Sequence, residues 1–100
     1  METSIARITH FFNHICVAVL KVTGDLKVGD VIHILGYTTD FVQRVHSMEI
    51  EHHPVESIGS GKEVALSVIR PVHKGDVVFK VTGPEAEKML QDSQTAFETP

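Results

Sequence analysis

The sequence predicts an all-β fold: a closed six-stranded Greek-key β-barrel followed by a short C-terminal helix. Three observations carry that expectation. Val, Ile and Thr recur in short runs bounded by Gly, Asp or Asn, at the spacing of β-strands. A Gly-Asp pair introduces two of those runs, at Gly29-Asp30 and Gly75-Asp76. No helical pattern interrupts the strands, so closure is the simplest way to remove their edges. With 42% hydrophobic and 22% charged residues in a chain of 100, the composition is that of one globular domain able to bury a core.

The first strand is expected over Ile5 to His10 and the second over Ile15 to Val22, with Asn13-His14 at the hairpin tip. After the Gly24-Asp25 turn, Lys27-Val28-Gly29-Asp30 leads into a third strand, Val31 to Gly36, whose inward set is Ile32 and Ile34. Tyr37 to Asp40 connects it to a long fourth strand from Phe41 to about Glu51. The parity of that strand slips, since Phe41, Gln43 and Val45 occupy one phase and Met48 and Ile50 the other. A β-bulge near His46-Ser47 would bring Val45, Met48 and Ile50 onto one face. His52-His53-Pro54 cannot continue in a central strand, because proline lacks the ladder donor, so Val55 to Lys62 reads as a loop. Val64, Leu66 and Val68 form the inward face of the fifth strand, and Lys74-Gly75-Asp76 turns into the sixth, Val77 to Val81. Residues 1–83 are thus the barrel domain. In the tail, residues 84–100, Pro84 suits a first helical turn, and Ala86, Met89, Leu90 and Phe97 share one face of a short amphipathic helix.

Composition excludes several functions. The start of the chain has neither the cationic region nor the apolar stretch of a secretory signal, and no apolar run approaches a membrane span. A cytoplasmic location without membrane attachment is expected. The single cysteine, Cys16, cannot form an internal disulfide, and its apolar neighbours Ile15 and Val17 mark it for packing. A formal charge of -4 argues against general nucleic-acid affinity, which depends on cations neutralising phosphates.

The chemistry-bearing motifs are mostly rejected. Gly59-Ser60-Gly61-Lys62 echoes a phosphate loop, but Glu56 stands where the first glycine is required and Glu63 where the magnesium-binding hydroxyl is required. Neither nucleotide nor any cofactor is expected; Gly61 reads as a positive-φ residue before a strand. Seven histidines invite a metal, yet they lack zinc spacing and cysteine partners, and no metal site is expected. Were there one, His10 with His14, or His52 with a neighbour from another strand, would be its nucleus. No serine or cysteine sits in a nucleophile elbow or beside a base, and Glu49, Glu51 and Glu56 read as solvating groups. No enzymatic activity is expected.

The run from Leu26-Lys27-Val28-Gly29-Asp30 through Ile32-His33-Ile34 to Val45, Met48 and Gly61-Lys62-Glu63-Val64-Ala65-Leu66 resembles the second domain of elongation factor Tu and its relatives. Val72-His73-Lys74-Gly75-Asp76-Val77-Val78 is similar to that family's return into its last strand. Over residues 5 to about 81, Ile8-Thr9-His10-Phe11-Phe12-Asn13, Thr38-Thr39-Asp40-Phe41 and Ser47-Met48-Glu49-Ile50-Glu51-His52 resemble short proteins called translation elongation factor-like. The Val-Gly-Asp turn, with Phe41 and Gln43, is also similar to the C-terminal barrel of collagenase-type peptidases of the U-type class. The resemblance implies a translation-protein domain that docks to tRNA or the ribosome, but such motifs specify a backbone more than an activity.

The resulting expectation is a noncatalytic binding module that docks to structured RNA or the ribosome, as a monomer or weak dimer. Its alternative is a protein-interaction adaptor attached to a peptidase or another enzyme. The second strand bears apolar residues in both phases, so one set faces outward and needs cover from the C-terminal helix or from a partner. The candidate contact residues are Phe11, Phe12, Asn13, His14, Tyr37, Arg44, His52 and His53.

Overall fold

The computed structural model describes residues 2–98, with side chains to Gln91. Ten strands precede one helix in the order β1 (Glu2–Phe12), β2 (Val17–Val22), β3 (Leu26–Lys27), β4 (Val31–Leu35), β5 (Asp40–Arg44), β6 (Met48–Ile50), β7 (His53–Val55), β8 (Ser57–Ile58), β9 (Glu63–Ser67), β10 (Val77–Val81) and α1 (Glu85–Glu98). Eight strands form one antiparallel sheet in the order β5-β4-β10-β1-β2-β9-β6-β7, and β3 pairs with β8. The fold is therefore all-β with one short helix. Among the described residues no ladder joins the terminal strands β5 and β7.

Alternation decides which side chains meet inside. Ile8, Ala18, Leu20, Ile32, Ile34, Phe41, Val64, Leu66 and Val78 point into one core cluster, joined by Val45 and Met48. Ile32, Ile34, Val64, Leu66 and Val68 are the inward residues that the strand phases predict. Gln43 sits in the same interior at 1% exposure. Its amide donates to Ser67 O at 3.0 Å and Arg44 O at 3.2 Å and accepts from Ile69 N–H at 2.9 Å. A side chain thus links β5 to the end of β9, where the sheet has no ladder.

The two Gly-Asp corners are copies of one device. In the first, Asp30 N–H donates to Lys27 O at 3.1 Å and Lys27 N–H donates to Asp30 Oδ2 at 3.0 Å. In the second, Asp76 N–H donates to His73 O at 3.0 Å and His73 N–H donates to Asp76 Oδ2 at 2.8 Å. Gly29 and Gly75, at φ 97° and 95°, occupy the third turn position, which in a type II turn demands positive φ. Each corner feeds one strand of the antiparallel pair β4 and β10.

Several expected boundaries are corrected. β1 is longer than Ile5 to His10 because Glu2, Thr3 and Ser4 pair with β10 and Phe11 and Phe12 with β2. β2 starts at Val17, since residues 13–16 form the turn and Cys16 adopts φ 54°. Cys16 is exposed and packs in no core, because the turn directs it away from the phase of Ala18 and Leu20. The long fourth strand breaks in two rather than bulging: β5 pairs with β4, a register that the bond from Val45 N–H to Asp30 O at 2.8 Å still follows, and past residue 47 the chain becomes β6 and pairs with β7 and β9. The break still places Val45 and Met48 inside. The loop expected over Val55 to Lys62 contains β8, and Val55 ends β7, an edge strand where Pro54 costs no central hydrogen bond.

The outer face of β4, β5 and β10 carries α1. Leu90 packs with Val31, Val42 and Val81, flanked by Ala86 and Met89, as the amphipathic tail predicts; the side chain of Phe97 lies outside the described residues. Beside the helix, His33 places Nδ1 2.7 Å from Glu2 Oε1 and Nε2 2.6 Å from Asp40 Oδ1. Only a doubly protonated imidazolium donates to both carboxylates. Burial alone would lower this imidazole's pKa, but the hydrogen bonds to Asp40 and Glu2, with their charges, more than reverse that and raise it above 6.5. A raised folded-state pKa stabilises the fold fully below the unfolded value, and that contribution disappears as pH rises through the folded one. The His33 ring resonances should accordingly titrate above 6.5. The urea midpoint should fall between about pH 6 and 8 by more in the native chain than in His33→Gln. A His33 midpoint below the ordinary value would refute the double carboxylate contact.

Candidate functional site

The second strand has one face too many to hide. Ala18, Leu20 and Val22 point inward and are fully buried, which turns Val17, Val19 and Lys21 outward. On β9 the outward set is Glu63, Ala65 and Ser67, and on β6 it is Glu49. The register aligns these into rows across the sheet. Val19 faces Ala65, which faces Glu49; Lys21 faces Glu63; Val17 lies between Phe12 and Ser67.

These rows floor an open groove of about 750 Å³. Phe12, Ile15, Val17 and Val19 make one side apolar, with Phe12 at 51% exposure and Ile15 at 67%. The opposite side is the β6–β7 turn, where Glu51 and His52 stand at φ 50° and 68°. Two successive positive φ values match a two-residue hairpin of type I′, a position where Asn-Gly is the usual pair. Gly61 and Lys62 close the end of the groove, and the positive φ of Gly61, 90°, is as the sequence predicts. Helix α1 packs on β4 and β5 and leaves this face uncovered.

The residues proposed from sequence are dispersed. Phe12 and His52 line the groove. Phe11 is partly buried against the core and, with Asn13, borders a separate hollow beside Cys16, Pro71 and His73. His14 is exposed in the β1–β2 turn, and His53 is exposed on the edge strand β7. Tyr37 is fully exposed on the β4–β5 connection. Arg44 is engaged within the fold, donating to Gly29 O at 2.8 Å and pairing with Glu87 of α1. Sequence reasoning misses Val17, Val19, Ala65 and Glu49; the doubly apolar second strand signals Val17 and Val19, though alternation alone cannot choose its outward phase, and Ala65 and Glu49 join them only through the register.

The groove offers shape, apolar area and carboxylates. No group of three or more His, Cys, Asp or Glu among the described residues is arranged to hold a metal ion. Glu49, Glu51 and Glu63 border it with Lys21 and Lys62, so phosphate would meet more carboxylates than ammonium groups.

No protein-family model matches the chain. The chain is 38% identical over 79 residues to an uncharacterized protease of Methanocaldococcus jannaschii, a match covering 78% of this chain and 19% of that protein. It therefore spans about a fifth of that relative's length. Among solved structures, the C-terminal domain of a putative U32 peptidase of Geobacillus thermoleovorans superposes with a TM-score of 0.75 at 15% identity, covering 79% of this chain and 92% of that domain. GDP-bound aIF5B of Aeropyrum pernix superposes with a TM-score of 0.61 at 18% identity, over 97% of this chain and 19% of that protein. At such identities the structures speak for the fold, which is shared with a peptidase C-terminal domain and, more distantly, with a translation factor.

Proposed function

We propose that the chain is a noncatalytic protein-interaction module that associates with a peptidase, docking through the uncovered face of β2, β9 and β6. The observation that carries this reading is the half-exposed apolar strip of Phe12, Ile15, Val17 and Val19, which α1 leaves uncovered among the described residues. An apolar strip on an otherwise polar surface contributes to binding by leaving water when a partner covers it. The similarity to part of a protease supplies the class of partner. In this reading Gln43 completes the seam that no ladder spans, so the sheet works as the closed Greek-key barrel of the translation-protein domain 2 type. Docking to structured RNA or the ribosome is the weaker reading, because the groove is bordered by three glutamates and two lysines.

The test mixes the chain with the M. jannaschii protease shortened by the segment that this chain matches, and follows complex formation by analytical ultracentrifugation. A one-to-one complex is expected, weakened about tenfold or more by Val19→Glu, which buries a charge at the contact. No complex, or a complex indifferent to Val19→Glu, sinks the proposal. Ribosome co-sedimentation sensitive to nuclease would restore the RNA reading in its place.

A further inference from the structure

We propose that the face of β2, β9 and β6 receives an amphipathic helix of the protein partner, with lysine or arginine flanking its apolar stripe. This rests on the reading of the chain as a protein-docking module and names the partner's chemistry. The fold shows on its other outer face how such a surface is covered. There α1 lays Leu90 on Val31, Val42 and Val81, and one ion pair, Arg44 with Glu87, joins sheet to helix. In that pair the sheet carries the cation and the helix the carboxylate.

On the uncovered face the polarity is reversed. Glu49 and Glu51 border the groove, and among the described residues no hydrogen bond or ion pair engages either side chain. Lys21 does not neutralise them, since its Nζ donates to Gly61 O at 3.4 Å and it faces Glu63 across the ladder. Glu49 lies in the same cross-strand row as Val19 and Ala65, two strand spacings from Val19, or about 10 Å. Two helical turns cover about 11 Å, so a side chain resting on Val19 and a cation two turns later would reach apolar floor and carboxylate together. Glu51 adds a second carboxylate from a turn whose left-handed backbone favours residues without long side chains. The groove therefore selects by charge as well as by apolar area.

Fluorescence anisotropy of two labelled helical peptides with the full chain tests this. Each is about 18 residues long, enough to hold a helix, and built of leucine and alanine with either lysine or glutamate on the flanks. The lysine peptide should bind about tenfold tighter or more. Glu49→Gln with Glu51→Gln should abolish the preference, whereas Asp25→Asn with Glu56→Gln, an equal charge change away from the groove, should leave it intact. Equal affinity for both peptides, no binding of either, or equal loss in the two double variants would overturn the proposal. So would dimerisation of the chain through Val19, because a second copy would then be the occupant. If the shortened protease still forms its Val19-dependent complex, such an outcome removes only the basic helix and leaves the docking function standing.

Discussion

Gln43→Leu should lower the stability of the fold by about 2–4 kcal/mol, although leucine conserves volume and polarity is removed from a core. The reason is what the amide holds. Ile69 N–H and Ser67 C=O are bonded to it at 2.9 and 3.0 Å, and each loses its partner when the amide is gone. An orphaned, partly buried backbone group costs about 1–3 kcal/mol, more than the net gain of an ordinary hydrogen bond, so two of them outweigh the benefit of an apolar replacement. The damage is also topological. β5 ends the sheet, and Gln43 ties it to the β9 side without a strand ladder, so its loss should free residues 67–69 locally. Urea unfolding measures the stability, and hydrogen exchange at Ile69 N–H measures the seam. A stability loss under about 1 kcal/mol, with Ile69 exchange unchanged, would mean that the seam is held by packing alone.

What the sequence revealed follows the same physics. The inward phase of β9 was legible because Glu63 and Ser67 mark its other phase as polar, and that of β4 because His33 interrupts its other phase; Ile32, Ile34, Val64 and Leu66 are all buried. The Gly-Asp corners were legible as turns because glycine and aspartate punctuate the apolar runs; the positive φ of Gly29 and Gly75 is what the structure adds. Strand ends were not. Glu2, Thr3 and Ser4 are polar and exposed, and they join β1 only because β10 offers a partner, which is a long-range fact. The break between β5 and β6 depends on β6 finding β9 as its neighbour, again across the fold. Pro54 excluded a central strand but not an edge strand, and which strands lie at an edge is a property of the whole sheet.

The site was legible in its cause and not in its members. Apolar residues in both phases of β2 announced an outward face in need of cover, and the helix lies elsewhere, on Val31, Val42 and Val81. Yet the sequence points to aromatic and polar residues near the hairpin and loops, of which Phe12 and His52 reach the groove. Arg44 illustrates the difficulty. An arginine on a strand reads as a contact residue until the helix that pairs with it is in place. The carboxylates of Glu49 and Glu51 read as solvating groups, and their interest arises only when the register sets Glu49 in one row with Ala65 and Val19.

Gly36→Ala should cost about 3–4 kcal/mol, although the position is exposed and its backbone needs no positive φ. A Cβ at Gly36 would fall inside the van der Waals envelope of Asp76 Oδ1 and Cγ, with Oδ2 at 3.0 Å. Asp76 cannot retreat cheaply, because it is 5% exposed and its Oδ2 receives His73 N–H within the second Gly-Asp corner. Overpacking costs about 1–3 kcal/mol, and displacing the carboxylate adds the loss of a charged hydrogen bond. Gly29 provides the contrast. A Cβ there meets nothing within 4 Å, so Gly29→Ala should cost only the left-handed backbone, about 1–2 kcal/mol. The two mechanisms separate in a double-mutant cycle. Asp76→Ala removes the corner's cap but also clears the space, so Gly36→Ala should cost little in that background and the coupling should reach about 2 kcal/mol. Additive losses across the cycle would show that Gly36 is required for its backbone rather than for the room it leaves to Asp76.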